Sequence, residues 1–441
     1  MKIGWISLGC PKNLVDTEFM IGLMIKYGNE LTLNPREADV LVINTCCFIQ
    51  PATQESLDMI VEYSQYKKEK CRLLVVTGCL AQRYGRRLSR LLPEVDLWVG
   101  TGEYYKLPEL VNSAVEGKES GDRFYLDKPG WLPESGIERV LSTPPYMAYV
   151  KIAEGCDHHC RFCVIPRLRG PYRSRPPEEI EKEVKNLVAG GVKEIILVAQ
   201  DTTAYGIDLP GNSSLPRLLS ILERIKGDFW LRLLYTYPDG ISSEFLKVFR
   251  DSGRLCRYLD LPLQHVSEKI LRAMGRPSAP EGISQLPAMI REQIPGMTLR
   301  TTFILGYPGE TEEDFARLAA FLDRARFDWV GAFPYYREEG TPAARIKPQV
   351  HPSTRKKRVK KLLSKQEKIS QERNSALCGK KLRVLVEKKY GHGWNGRSYR
   401  EAPEIDGLVK ISPCAAEVNP GDFITVEVTG AGAYEIYAKI T

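Results

Sequence analysis

The 441-residue chain has no uninterrupted apolar run approaching the length of a bilayer crossing, which leaves no candidate for a membrane-spanning helix. It also lacks the layout of a secretory leader. Met1-Lys2-Ile3-Gly4-Trp5-Ile6-Ser7 runs straight into a strand-like pattern, and the expected compartment is the cytoplasm. Charge of one sign is not in large excess: a formal net charge of +8 permits an anionic partner without demanding one. Histidine is scarce, at five residues, and gives only a weak signal. Cysteine stands out against this background. Eleven is an odd count, unsuited to a pure disulfide framework, and in a cytosolic chain it points to metal ligation or catalysis. The remainder, 43% hydrophobic and 27% charged, reads as ordinary globular protein with room for about three domains.

The densest cysteine run is Glu154-Gly155-Cys156-Asp157-His158-His159-Cys160-Arg161-Phe162-Cys163, a C-x3-C-x2-C pattern after the extended apolar segment Tyr146 to Ala153. Three thiolates at this spacing can hold one face of an iron–sulfur cube and leave one iron open. The alternatives are chance clustering and a zinc site, which needs a fourth ligand from His158, His159 or a remote residue.

Three apolar, β-branched runs mark the first hundred residues: Lys2 to Leu8, Ala38 to Asn44 and Arg72 to Thr77. Helical patterns at Asp16 to Tyr27, Gln54 to Tyr66 and Gln82 to Leu92 separate and follow them, so an open parallel α/β sheet is expected. Each run leads directly to a cysteine, Cys10, Cys46 or Cys79. Ligand sites in such sheets lie beyond the carboxyl ends of the strands, so these three should meet at one edge. Either they form a metal or cluster site, or they are buried small hydrophobes. Cys71 precedes its strand and sits at the wrong end. Cys46 and Cys47 are neighbours, and successive residues of an extended segment point opposite ways. Only one of the two should face the site.

Pro, Gly and Ser gather between Gly117 and Pro145, a linker pattern. From Tyr146 six strand-like runs alternate with helical patterns: Tyr149 to Ala153, Glu194 to Ala199, Trp230 to Tyr235, Tyr258 to Leu261, Thr301 to Leu305 and Trp329 to Phe333. Six units are too few for a closed eight-stranded barrel, so a partial (βα)6 barrel is expected. Polar strand ends mark its active face, with Gln200, Gln264 and Gly306 as candidate ligand contacts or, equally, ordinary loop residues. Arg175, in Arg169-Gly170-Pro171-Tyr172-Arg173-Ser174-Arg175, is a candidate for bidentate carboxylate binding, with a solvated charge as the plain alternative.

A basic helix over about Arg355 to Ser375 follows, its charge run either a solvated face or a contact for RNA phosphates. Short strands at Leu382 to Glu387, Leu408 to Ile411, Phe423 to Val428 and Glu435 to Ile440 then predict a small β-barrel. Residues 377–441 hold nine Lys and Arg against eight Asp and Glu, a balance that suits a basic protein better than tRNA. The expected organisation is 1–116, a linker at 117–145, 146–352, a connecting helix at 353–376 and 377–441.

Cys156, Cys160 and Cys163 resemble the signature of the radical S-adenosylmethionine (SAM) superfamily. The resemblance implies a 4Fe-4S cluster whose open iron is chelated by SAM, and the segment Phe303 to Glu310 resembles the adenine side of such sites. Ser7 to Glu18, Asn44-Thr45-Cys46 and Thr77-Gly78-Cys79 look like the N-terminal domain of the methylthiotransferases within that superfamily. That likeness implies a second 4Fe-4S cluster on Cys10, Cys46 and Cys79 that carries the sulfur to be inserted. The C-terminal barrel resembles a TRAM domain, which implies an OB-like β-barrel, and with it the resemblance covers essentially the whole chain. Gly9-Cys10-Pro11-Lys12-Asn13 and Arg397 to Gly407 are similar to members that modify an aspartate of ribosomal protein S12 on the small ribosomal subunit. The alternative branch, of the MiaB type, modifies an adenosine near the anticodon of tRNA and usually carries Gln and Met at the positions of Pro11 and Lys12. An electron donor of the flavodoxin or ferredoxin type and a sulfur donor are implied as partners. A rival of another class is a non-catalytic ribosome- or RNA-binding protein with structural clusters.

Overall fold

Continuous apolar runs become parallel strands only when both faces are covered, and the N-terminal third meets that condition. The computed structural model describes residues 1–118, 122–133, 137–276, 280–412 and 417–441. Residues 119–121 and 134–136 of the expected linker lie outside them.

The first sheet comprises β1 (Lys2–Ser7), β2 (Glu30–Thr32), β3 (Val40–Thr45), β4 (Leu73–Gly78), β5 (Leu97–Val99) and β6 (Phe124–Tyr125), parallel in the order β2-β1-β3-β4-β5-β6. Its helices are α1 (Pro11–Lys26), α2 (Gln50–Ser64), α3 (Cys79–Leu88) and α4 (Leu107–Val115). The first three begin three to five residues before the expected starts, because Pro11, Pro51 and Cys79 occupy first turns that carry no apolar periodicity. The sixth strand falls inside the stretch expected as linker, where Phe124 and Tyr125 pair with Trp98 and Val99.

The central region holds β7 (Met147–Lys151), a short antiparallel pair β8 (Ala153–Glu154) and β9 (Arg173–Ser174) around α5 (Ile165–Arg169), and then α6 (Pro177–Ala189). There follow β10 (Glu194–Val198), α7 (Leu215–Glu223), β11 (Trp230–Leu233), α8 (Ser243–Asp251), β12 (Tyr258–Asp260), α9 (Glu268–Ala273), α10 (Pro280–Gln293), β13 (Thr298–Leu305), α11 (Glu312–Ala325) and β14 (Trp329–Pro334). The six strands β7, β10, β11, β12, β13 and β14 form two parallel three-stranded sheets in chain order, and Leu231 of β11 bridges to Leu255, three residues ahead of β12. This is the partial barrel expected. Alternation splits the strands: Val150, Ile195, Leu197 and Leu233 pack under the helices, whereas Tyr149, Ile196, Val198 and Leu234 join α1 residues such as Val15 and Phe19 in a second core. The N-terminal domain thus closes one flank of the barrel.

After α12 (Pro352–Ser375) the chain forms a closed barrel of β15 (Lys381–Tyr390), β16 (Gly393–Ser398), β17 (Leu408–Ile411), β18 (Phe423–Ala431) and β19 (Glu435–Ile440). Four strands match expectation. The fifth, Gly393-Trp394-Asn395-Gly396-Arg397-Ser398, has no hydrophobic alternation, yet it is largely buried. Arg397 donates to Glu194 at 2.5 Å and to Glu387 at 2.7 Å, tying the small barrel to the start of β10. Burial pushes the Glu194 carboxyl up, but Arg397 and Arg232 overcome it and hold the group down at about 2. In α12, Arg358 turns inward onto Glu310 at 2.8 Å, while Lys356, Lys357, Lys360 and Lys361 stay exposed. Among the described residues no helix is long and apolar enough to cross a membrane.

Candidate functional site

The carboxyl ends of β1, β3 and β4 deliver Cys10, Cys46 and Cys79 to one edge. Cys10 caps α1, its carbonyl accepting from the Asn13 and Leu14 amides at 2.9 and 3.1 Å. Gly9 has φ +89°, and a Cβ there would sit 2.5 Å from the Cβ of Cys46, so only glycine lets the two turns meet. Gly78, at φ +91°, lies as close to Thr45 and Asn44. The Ser56 hydroxyl clamps the Cys46 backbone, accepting from its N–H at 3.1 Å and donating to its carbonyl at 2.8 Å. Burial pushes the Cys46 thiol up to about 12, with Cys79 and Cys10 adding to the effect. Cys47 turns the other way into an apolar core, its thiol donating to the Cys79 carbonyl at 3.2 Å. Cys71 sits at the far end of its strand and bonds the Leu73 carbonyl.

The second triad occupies the loop after β8. Gly155, at φ +86°, admits no side chain, because its Cβ would strike the Pro171 carbonyl at 2.0 Å. Burial raises the Cys156 thiol to about 11 and the Cys163 thiol to about 12, with neighbouring triad thiols adding to both. The Ile165 amide donates to the Cys163 sulfur at 3.4 Å. His158 fixes the loop from above: its ring stacks on Tyr237 at 3.9 Å, and Nε2 meets Asp201 at 2.7 Å.

The described cysteines carry no disulfide. No three His, Cys, Asp or Glu among the described residues gather tightly enough to hold a single metal ion, whereas a cube spreads its thiolate ligands over separate irons. Two sets of sheltered soft thiols with mutual repulsion, and amides aimed at sulfur, have the donor chemistry that such a cluster requires.

A buried ionic knot joins the two triads. Asp16 on α1 pairs with Lys151 at the end of β7 and with Arg169 of α5, the latter at 2.5 Å. Glu154, two residues before Cys156, accepts from Lys151 at 2.5 Å and lies 3.3 Å from Arg169. Burial would raise the Glu154 carboxyl, yet Lys151 and Arg169 hold it at about 2. Arg169 also donates to Asn13 at 2.9 Å and stands beside Cys79, so one guanidinium touches both domains. The loop after β11 spans the same gap. Tyr235 lies in the field of Cys10 and Tyr237 in that of Cys160. Lys12 rests over the Tyr235 ring at 3.2 Å, and Arg276 lies over Tyr237 at 4.5 Å. Burial lowers the Lys12 ammonium against the pull of Cys10 and Glu154.

Gln200 stands at this junction, donating to Glu154 at 2.5 Å, with its own carbonyl buried and unpaired. Gln264 sits at φ +67° between β12 and β13, its amide on the Thr302 carbonyl at 2.8 Å. Gly306, at φ +74°, gives its amide to Glu310 at 2.6 Å and faces Arg355. Arg175 is not brought to the site. Its guanidinium donates to Glu183 at 2.6 Å and to the Lys151 carbonyl at 2.8 Å, beneath α6. His265 is wholly buried and pushed down to about 4 by that burial, a core residue. Asp16 and the Tyr235/Tyr237 pair escaped sequence reasoning, while Lys12 was read only as a mark of the branch and His158 only as a possible zinc ligand. The tyrosines left a signal, as aromatic residues at and just beyond the carboxyl end of a barrel strand.

A six-stranded partial barrel with a three-cysteine loop after its first strand defines the class, a radical SAM protein. The model of the Radical SAM superfamily matches residues 150–322, that of the Uncharacterized protein family UPF0004 residues 2–100, and that of the TRAM domain residues 378–441. Among solved structures, the radical S-adenosylmethionine methyltransferase TsrM from Kitasatospora setae, with cobalamin and a 4Fe-4S cluster bound, shares the fold. Its TM-score is 0.60 at 14% identity, over 78% of this chain and 73% of that one. The chain is 46% identical to the ribosomal protein uS12 methylthiotransferase RimO of Geobacter sulfurreducens, covering 100% of this chain and 98% of the relative. It is 47% identical to the protein of the same name from Pelotomaculum thermopropionicum, covering 99% and 98%. The chain belongs to the family of ribosomal protein uS12 methylthiotransferases.

Proposed function

We infer that this enzyme places a methylthio group on the β-carbon of an aspartate of ribosomal protein uS12, working on the small subunit or its free protein in the cytoplasm. The observation that carries the reading is Arg169, which stands beside Cys79 and binds both Asp16 of the N-terminal domain and Glu154 two residues before Cys156, in a member of this family. An aspartate β-carbon offers no acidic proton, so polar acid–base chemistry has no foothold there and a cofactor must supply the reactivity. When bound, two 4Fe-4S clusters and two molecules of SAM would supply the sulfur to be inserted, the methyl group it carries and a hydrogen-abstracting radical. Cys156, Cys160 and Cys163 would hold one cluster, and Cys10, Cys46 and Cys79 the other.

The remaining work belongs to the chain. Gln200, through its unpaired carbonyl, and the strand-end positions Gln264 and Gly306 are assigned to the SAM side. Arg175, committed to Glu183, serves the scaffold in this reading. The knot of Asp16, Lys151, Glu154 and Arg169 keeps the triads in register, as group transfer between bound partners requires. Tyr237 and His158 cover the second triad and limit water access. The near-neutral small barrel fits a basic protein better than tRNA, and the relatives' name favours uS12 over the tRNA alternative. A flavodoxin- or ferredoxin-type reductant and a sulfur donor complete the partners.

The test gives the anaerobically loaded protein SAM, reductant and sulfide, with uS12 and tRNA offered in parallel and both read by mass spectrometry. A methylthio mass gain on an aspartate of uS12 with tRNA untouched is expected. Gain on tRNA alone would overturn the substrate assignment.

A further inference from the structure

Nine Lys and Arg residues among those described are buried, and seven of them pair with a carboxylate. The two exceptions are Lys12 and Arg276, which stand on either side of the gap between the cysteine triads. Arg276 still donates to the Pro262 carbonyl at 2.8 Å. Lys12, only 8% exposed, makes no hydrogen bond or ion pair to any described residue, and its ammonium has only the Tyr235 ring beneath it at 3.2 Å.

The carboxylates nearest to Lys12 are already committed. Glu154 is matched by Lys151 and Arg169, and Asp260 accepts from Arg300 at 2.9 Å. Lys12 therefore keeps three N–H donors with no acceptor among the described residues. Donors held this far from water are costly to leave unmet, and this set suits a carboxylate that completes it. Tyr235 adds a second sign. It is a non-glycine residue at φ +60°, held there by its N–H bond to Asp260 at 3.0 Å. Such strained backbone collects at functional sites, and here it presents the ring that supports the ammonium.

We propose that Lys12 is the binding residue for the side-chain carboxylate of the substrate aspartate, with Tyr235 as its positioning residue. The inference rests on the uS12 reading above. Within aspartate the carboxyl carbon is bonded directly to the β-carbon, so gripping the carboxylate also fixes the reacting C–H. Lys12 stands two residues from Cys10, which places the β-carbon beside the triad assigned to sulfur.

The experiment uses the full chain with both triads loaded and two peptides carrying the uS12 substrate loop, one with the native aspartate and one with asparagine. Wild type should modify the aspartate peptide and discriminate against asparagine. Lys12→Met should lower kcat/KM for the aspartate peptide roughly 100-fold, the scale for truncating one partner of a buried charge pair. The asparagine peptide, iron content and 5′-deoxyadenosine formation should change little, and Lys12→Arg should recover part of the loss. Lys12→Met acting on the aspartate peptide within about threefold of wild type would overturn the assignment, as would equal loss on both peptides or loss of iron from the Cys10 triad. Wild type that modifies neither uS12 nor the aspartate peptide would instead sink the functional reading and this inference with it.

Discussion

Asp16 makes the coupling of the two domains measurable. It is fully buried, and with Glu154 it balances the charges of Lys151 and Arg169. Asp16→Asn keeps the shape but leaves the knot with one unbalanced positive charge, the case in which a broken buried pair costs about 3–5 kcal/mol. At 1.36 kcal/mol per decade, that moves the docked equilibrium by about two to three and a half orders of magnitude. Because α1 carries Asp16 and Cys10 whereas β7 and α5 carry its partners, the loss falls on the interface between the triads. The variant should still cleave SAM, which needs only the Cys156 triad, but the methylthio product formed per 5′-deoxyadenosine should collapse. Parallel quantification of both products by mass spectrometry, with amide exchange across α1, makes the comparison. A variant whose product ratio stays within about threefold of wild type would show that the knot does not register the triads.

Other substitutions separate the parts. Cys46→Ser should remove about half the bound iron while Cys47→Ser leaves it, because only Cys46 faces the Gly9 turn; iron analysis decides, and the reverse result would exchange their roles. Gly9→Ala should mimic Cys46→Ser in iron content, since its Cβ has no room beside Cys46 and its φ of +89° costs about 1–3 kcal/mol more. Cys163→Ala should abolish 5′-deoxyadenosine while iron at the Cys10 triad persists. The Glu194 ion pairs predict an acid response. Its carboxyl sits at about 2 against an ordinary 4.5, so the pair's contribution is complete above pH 4.5 and is lost as pH falls toward 2. The shift corresponds to about 3 kcal/mol. The stability gap between wild type and Glu194→Gln in chemical denaturation should therefore close over that window; a gap unchanged by pH would contradict it.

The six barrel strands and the first sheet's three cysteine-bearing strands were legible because burial on both faces writes itself as continuous apolar sequence. The cysteines were legible because they stop those runs at equivalent places. What escaped depends on distant partners. Gly393 to Ser398 looks like a loop until Glu194, Glu387 and Glu401 accept its polar groups. Asp16 reads as a solvated helix charge, and only the packing of α1 against β7 reveals that Lys151 and Arg169 surround it. Arg175 follows the cysteine loop in sequence, yet its guanidinium meets Glu183 on the helix that begins two residues later, a pairing that the spacing alone does not announce. Phe124 and Tyr125 are too short a run to announce a strand without Trp98 and Val99 beside them.

Cofactors held at the two triads would let hydrogen be drawn from the aspartate β-carbon and a methylthio group take its place. The decisive experiment uses uS12 carrying deuterium at that carbon and reads the 5′-deoxyadenosine by mass spectrometry. Deuterium should appear in 5′-deoxyadenosine in proportion to methylthio product, and none with a Cys163→Ala variant. Methylthio product formed with no deuterium in 5′-deoxyadenosine would contradict it.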